Sequence, residues 1–253
     1  MNSEIQNHTI LKENIPSERK AALKTLGYYF LFFIVGMNLL ILLGAIWGGL
    51  IGGLLGYPSY DKIENIINDV STYLDPIFGI LSIWWLYYYT KKNGLLIPRK
   101  VQIRFIDLLF ILIAFIALMY SGVILDLIFH YFHFPTSTPD NQKEVEKLLV
   151  SNPIIMATSA VIIAPIKEEW ITRKLIIGSI FNKLPIIGLF VSSLGFGALH
   201  MLAGFSIYAL IQYSLAGFIL GLLYIKTKRI EISILAHFIN NFVSIASFFI
   251  TSH

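Results

Sequence analysis

The sequence predicts an all-α fold, a polytopic transmembrane helical bundle of about seven spans, or eight, each of about 20 apolar residues. Three observations carry this. Of 253 residues, 56% are hydrophobic and only 13% are charged, against roughly 25% charged in soluble domains; the mean hydropathy is +0.72. Long apolar runs recur from about residue 26 to residue 250. The connections between them alternate between basic and acidic or neutral. The net charge of +4 therefore reads as the cytoplasmic-loop bias of Lys and Arg rather than as a nucleic-acid surface. No basic patch interleaved with aromatics argues otherwise. Cysteine is absent, which excludes disulfides, thiolate nucleophiles and cysteine metal sites.

Taken in order, residues 1–25 read as a polar, loosely ordered cytoplasmic tail, and residues 26–253 as one membrane domain. No signal peptide is visible, because the first two dozen residues are polar and the apolar stretch after them is too long for an h-region. The first span covers about 26–55. It is glycine-rich towards its end (Gly44, Gly48, Gly49, Gly52, Gly53, Gly56), a spacing that lets helices approach closely. Spans two and three cover about 74–89 and 105–129. Thr138-Pro139-Asp140 is a helix-start signal with Thr138 as N-cap and Pro139 as first helical residue, predicting a surface helix to Val150. Ser151-Asn152-Pro153 repeats the signal and opens span four. Spans five to seven cover about 185–202, 205–225 and 232–250.

The charges orient the bundle. Lys12, Arg19, Lys20 and Lys24 precede span one; Lys91, Lys92, Arg99, Lys100 and Arg104 follow span two; Arg173, Lys174 and Lys183 follow span four; Lys226, Lys228 and Arg229 follow span six. The alternate loops hold Asp61, Glu64 and Asp69 against Lys62, then Asp140, Glu144 and Glu146 against Lys143 and Lys147. Seven spans with a cytoplasmic N-terminus satisfy every loop under the positive-inside rule.

Three polar constellations then stand out, each inside a span. The first is Glu168-Glu169-Trp170-Ile171-Thr172-Arg173. Carboxylates at membrane depth cost about 2.5–3.5 kcal/mol on insertion scales, so their presence points to proton-transfer chemistry or ion handling. Residues four apart share a helix face, which predicts that Arg173 pairs with Glu169. Glu168, about 100° away, is left free to act as general base and acid. The bland alternative is a juxtamembrane charge cluster snorkelling to water.

The second is Phe196-Gly197-Ala198-Leu199-His200, with Gly195 and Gly197 offering room for a helix or a substrate. The third is His237-Phe238-Ile239-Asn240-Asn241, in which His237 and Asn241 share a face and Asn240 points elsewhere. Each alone is as well explained by interhelical hydrogen bonding. Together, Glu168, His200, His237 and Asn241 most economically face one another. Glu168 and His200 would hold and deprotonate a water; His237 and Asn241 would donate to a developing oxyanion. Glu168, His200 and His237 also suit a divalent metal such as zinc by ligand type, though no HExxH is present.

Glu-Glu-x-x-x-Arg, Phe-x-x-x-His and His-x-x-x-Asn, in that order on successive apolar helices, resemble the CPBP family, the CaaX-processing and bacteriocin-processing intramembrane proteases, or Abi proteins. The resemblance covers about Ala157 to Val243, including flanks at Ser159-Ala160, Ala164-Pro165 and Ser233 to Ala236, and marks 153–250 as the CPBP-like core. It implies an intramembrane endopeptidase, glutamic or metal-dependent, with Glu168 as base, His200 sharing the water, and His237 and Asn241 at the oxyanion. Glu169, Arg173 and Phe196 support them.

The implied substrate is a hydrophobic or lipid-modified peptide cut near the cytoplasmic face of a bacterial plasma membrane. The alternatives are a non-catalytic bacteriocin-immunity or scaffold protein using the same cavity, and a transporter. The latter lacks broken helices in matching halves. Asp107 and Asp126 lack the Gly-x-Gly-Asp context of aspartyl intramembrane proteases, and no Gly-x-Ser-Gly marks a rhomboid. Those two, with Asn38, read as hydrogen-bonding residues. Pro165 would free a carbonyl near Val161. For His200 and His237 to meet, span five would start below the bilayer, which predicts a cytosol-facing cavity.

Overall fold

In the computed structural model, residues 15–54, 56, 60–96 and 101–251 are described. Lys12, Arg99 and Lys100 lie outside them, as do the side chains of Asp61, Lys62, Glu64 and Asp69. Among the described residues there are eight helices and no strand: α1 (Ile15–Leu54), α2 (Tyr60–Lys92), α3 (Phe105–Tyr131), α4 (Asp140–Ser151), α5 (residues 153–180), α6 (Pro185–His200), α7 (Ile207–Thr227) and α8 (Ile230–Thr251). This is a helical membrane bundle. α1, α3, α7 and α8 are long and apolar enough to cross a bilayer, and α6 is a shorter apolar helix.

Several expected boundaries shift. α1 starts at Ile15, inside the segment expected to be a loose tail, and α2 starts at Tyr60, so the acidic stretch before span two is helix rather than loop. Pro139, not Thr138, is the N-cap of α4, and no side chain caps it. At the start of α5, Pro153 does take the first position after Asn152.

α5 is not a uniform α-helix. It widens into π-helix at Ser159–Ile163 and again at Trp170–Ile180, with one α-turn region, Ala164–Glu169, between. The first widening leaves one carbonyl without a helix partner. In π register the carbonyl of residue 160 would take the N–H of residue 165, which is proline and has none. The amide of Asn241 donates to the Ala160 carbonyl instead, at 2.9 Å. The freed carbonyl is thus one residue before the expected Val161.

Glycines set the closest helix contacts. A Cβ on Gly197 would meet Ser214 Oγ and the Leu210 carbonyl, one on Gly217 would meet Ser193, and one on Gly221 would meet Leu189. These contacts zip α6 antiparallel to α7. In α1, Gly44, Gly48 and Gly52 are buried on one face, whereas Gly49 and Gly53 face open space. Gly195 likewise touches nothing.

The bundle has two chemically distinct ends. At one, Arg229 binds Asp107 at 2.6 Å and Glu231 at 2.8 Å and donates to the Gln102 carbonyl, tying the start of α3 to the α7–α8 turn. Arg104 closes on the same Asp107 at 2.9 Å. Asn93 donates to Thr25, and Asn182 to Glu18, which brings the start of α1 and the ends of α2 and α5 to this end too. At the other end, Tyr208 donates to Asp126, and α4 lies over the α6–α7 loop, where Gly204 abuts Asp140. Asp107, Asp126 and Asn38 (bonded to the Ile34 carbonyl) all take the structural roles expected of them.

Candidate active site

The two widened stretches of α5 bracket Lys167, Glu168 and Glu169. Glu169 and Arg173 are both fully buried, with Arg173 Nε 2.9 Å from Glu169 Oε2. The approach is out of line for a straight hydrogen bond, so the attraction is mainly electrostatic. Arg173 is held further by Ser192, whose hydroxyl accepts from its Nη1 at 3.2 Å and donates to the Thr172 carbonyl. Its guanidinium also lies 5.5 Å from the centre of the Phe196 ring.

Glu169 has a second partner that the helix spacing could not reveal. Its Oε1 lies 3.1 Å from His237 Nδ1. A carboxylate only accepts, so Nδ1 carries a proton and Nε2 is the nitrogen turned the other way. That Nε2 stands 3.9 Å from Glu168 Oε2. His237 therefore sits between the two glutamates, bonded to the buried one and facing the open one. Glu168 retains 23% side-chain exposure and lines a cavity of about 610 Å³.

His200, the last residue of α6, lines the same cavity. Its Nδ1 donates to the Phe196 carbonyl at 2.8 Å, so its Nε2 is a lone pair. Its ring stacks on Tyr213 with centroids 4.0 Å apart. Phe196, 3% exposed, touches the rings of both His200 and His237 and forms the wall between them.

Glu168, His200, His237 and Asn241 thus share one cavity, but not as four free groups. Asn241 commits one amide hydrogen to Ala160 and accepts on Oδ1 from Asn240 at 3.3 Å. Asn240, expected to face elsewhere, lines the cavity beside it. Among the described residues no three His, Asp or Glu side chains converge on a metal-ion position. Glu168, His200 and His237, which suit a metal by ligand type, do not form such a group.

Other lining residues escaped the sequence reading. Asp75, which accepts from Ser159 at 3.1 Å, Lys167, Asn141, Gln142 and Tyr213 all reach the cavity. An Asp-Pro inside an apolar run and a Lys beside the glutamates were the available signals. Asn141 and Gln142 belong to α4, read only as a surface helix.

The cavity also lies away from its expected side. It is lined by Asn141, Gln142 and Val145 of α4, by the end of α6 and by the α4-side portion of α7. Glu168 stands near the middle of α5, and the space runs from there towards α4, away from the end that holds Arg104 and Arg229. The sequence placed the cavity on the basic side; in the fold it extends away from the basic end.

Residues 150–243 match the family model described as Rce1-like, type II CAAX prenyl endopeptidase. The stretch contains every residue of the three motifs. The match agrees with the resemblance to CPBP proteases that the three motifs carry. The chain is also 32% identical over 129 residues to the Bacillus subtilis (strain 168) protein named "Putative membrane peptidase YdiL", an alignment covering 50% of each chain. The chain thus spans about half the length of the curated relative it matches. No solved structure matches. α5 carries the Glu-Glu-x-x-x-Arg motif, α6 the Phe-x-x-x-His motif and α8 the His-x-x-x-Asn motif. The first three helices lie outside the matched segment.

Proposed function

We propose that the protein is an intramembrane endopeptidase that hydrolyses a peptide bond in a hydrophobic or lipid-modified peptide, with Glu168 as general base. The observation that carries this reading is the asymmetry of the glutamate pair. Glu169 is sealed between Arg173 and His237, while Glu168 faces the cavity with His237 Nε2 beyond it.

In the proposed reaction a water donates one hydrogen to Glu168 and the other to the Nε2 lone pair of His200. Glu168 takes its proton as the water oxygen bonds to the scissile carbonyl carbon, and the carbonyl electrons move to its oxygen. The free hydrogens of the Asn240 and Asn241 amides stabilise that oxyanion. His237 joins them only as an imidazolium, since its Nδ1–H is already given to Glu169. Glu168 then passes its proton to the leaving nitrogen as the C–N bond breaks, releasing a carboxylic acid and an amine. A prenyl or other lipid chain on the substrate is supported by the family match.

The test is Glu168→Gln, which keeps size and hydrogen bonding but cannot take the proton. Membranes from cells with the wild-type and variant proteins are incubated in ¹⁸O-water, and new peptide C-termini are read by mass spectrometry. Cleavage should fall by about 10²–10⁴-fold at unchanged protein level. Undiminished cleavage by the variant defeats the proposal. A cellular immunity phenotype that survives the substitution, without any cleavage product, would instead mark a binding protein.

A further inference from the structure

We infer that the cavity serves the non-cytoplasmic side of the membrane and takes its peptide from the outer half of the bilayer, through the gap between α2 and α3. The inference rests on the proposed endopeptidase reading for what happens to the peptide, but its geometry is independent of that reading.

Two observations combine. The first is the distribution of charge over the ends of the bundle. Lys20, Lys24, Lys91, Lys92, Arg104, Lys174, Lys183, Lys226, Lys228 and Arg229 all fall at or near the end where α3 starts and α7 gives way to α8. The α4 end has Lys143 and Lys147, matched by Asp140, Glu144 and Glu146, with Lys143 already paired to Asp140 at 2.8 Å. Positive residues near span ends stay cytoplasmic, so α4 is external. The second is that the cavity runs from mid-membrane towards α4. The catalytic half of the space is then the outer half.

The wall facing lipid on that side is incomplete. α2 lends Asp75 and Gly79 to the cavity, and α3 lends Met119, Ser121 and Gly122. α2 packs on α1 and α5, α3 packs on α7 and α8, and among the described residues α2 and α3 share no packed face. Met119 lines the cavity yet is 52% exposed, as a residue at a lateral opening would be. A hydrophobic segment in the bilayer can slide through such a gap without leaving lipid, whereas a soluble peptide would have to pass α4.

The chain has no cysteine, so single thiols report without background. Lys143→Cys (α4), Ser121→Cys (cavity) and Lys228→Cys (α7–α8 turn) are made in the full chain and expressed in bacterial cells. Each is treated with a small membrane-impermeant thiosulfonate before and after permeabilisation. Lys143→Cys and Ser121→Cys should label in intact cells at least ten-fold faster than Lys228→Cys, which should label only after permeabilisation. The reverse pattern overturns the inference, and so does labelling of Ser121→Cys only after permeabilisation.

A second readout covers variants that fail to fold: alkaline phosphatase fused after Thr251 should be active, and a fluorescent cytoplasmic reporter there should be dark. An inactive phosphatase with a bright reporter also overturns it. Labelling does not depend on hydrolysis. An inert Glu168 with outside labelling sinks the enzyme alone, and inside labelling with intact cleavage sinks the sidedness alone.

Discussion

Arg173→Met is the most searching perturbation of the buried charge cluster. The guanidinium and the Glu169 carboxylate are both fully removed from solvent and 2.9 Å apart. Methionine keeps the apolar stem against Phe196 but leaves Glu169 with only His237, 3.1 Å from its other oxygen. A buried ion stripped of its partner costs about 3–5 kcal/mol. At about 2–4 °C per kcal/mol for a domain of 150–250 residues, the midpoint should fall by roughly 6–20 °C. The double variant Glu169→Gln with Arg173→Met removes both charges, and the Gln carbonyl still accepts from His237. It should recover to within about 1–2 kcal/mol of wild type, because replacing a buried pair outright is often near neutral. Thermal unfolding in detergent, followed by size-exclusion of the surviving monodisperse protein, measures all three. A fall of under about 2 °C for the single variant, or a double variant no better than the single, would refute the claim that Arg173 neutralises Glu169.

Asn241→Ala should cost about 1–3 kcal/mol by orphaning the Ala160 carbonyl, and Pro165→Ala should relieve most of that cost by restoring an N–H in the π register; thermal midpoints of the four-member cycle check it. Gly197→Ala should lose about 1–3 kcal/mol to overpacking against the Leu210 carbonyl, whereas Gly195→Ala, with nothing within 4 Å, should be neutral or slightly stabilising, as seen in the same melts. Arg229→Met should lose about 1.5–3 kcal/mol from its charge-assisted bonds to Asp107, Glu231 and Gln102. Limited proteolysis of the 101–104 segment should speed up as the start of α3 loosens.

Membrane class, the position of most helices and the Glu169–Arg173 pair were legible because each rests on local spacing. Apolar runs need only length, and an i, i+4 ion pair needs only the helical repeat. The failures arose where a residue three turns or a whole helix away decides the outcome. His237 binding Glu169 rather than standing free is a meeting of α5 with α8, separated by 68 residues. Asn241 spends its amide on a carbonyl that Pro165 and the π register expose, and neither the register nor the partner follows from His-x-x-x-Asn. Asn240 was misplaced because a face chosen for residues four apart ignores how wide the cavity is. The end of the bundle towards which the cavity runs was hidden for a related reason. Residue counts along α6 and α8 gave depth, but α4, whose polar composition reads as a surface helix, supplies part of the lining.

Why two adjacent glutamates should be needed follows from the same geometry. A single carboxylate at this depth must be either neutralised, and so inert, or free, and so costly. Here the functions are divided between neighbours about 100° apart on the helix. Glu169 spends its charge on Arg173 and on fixing the tautomer of His237. That fixed ring then faces Glu168 across 3.9 Å, as a group that can either accept or, once protonated, donate. Glu168 keeps its access to the cavity because Arg173 is held elsewhere, by Ser192 on α6 and by the face of Phe196. Phe196 in turn supplies the carbonyl that sets the tautomer of His200. Glu169 and the Phe196 backbone carbonyl therefore set the proton positions of the two imidazoles, so the three motifs meet in one bonded unit rather than as three separate polar contacts between helices.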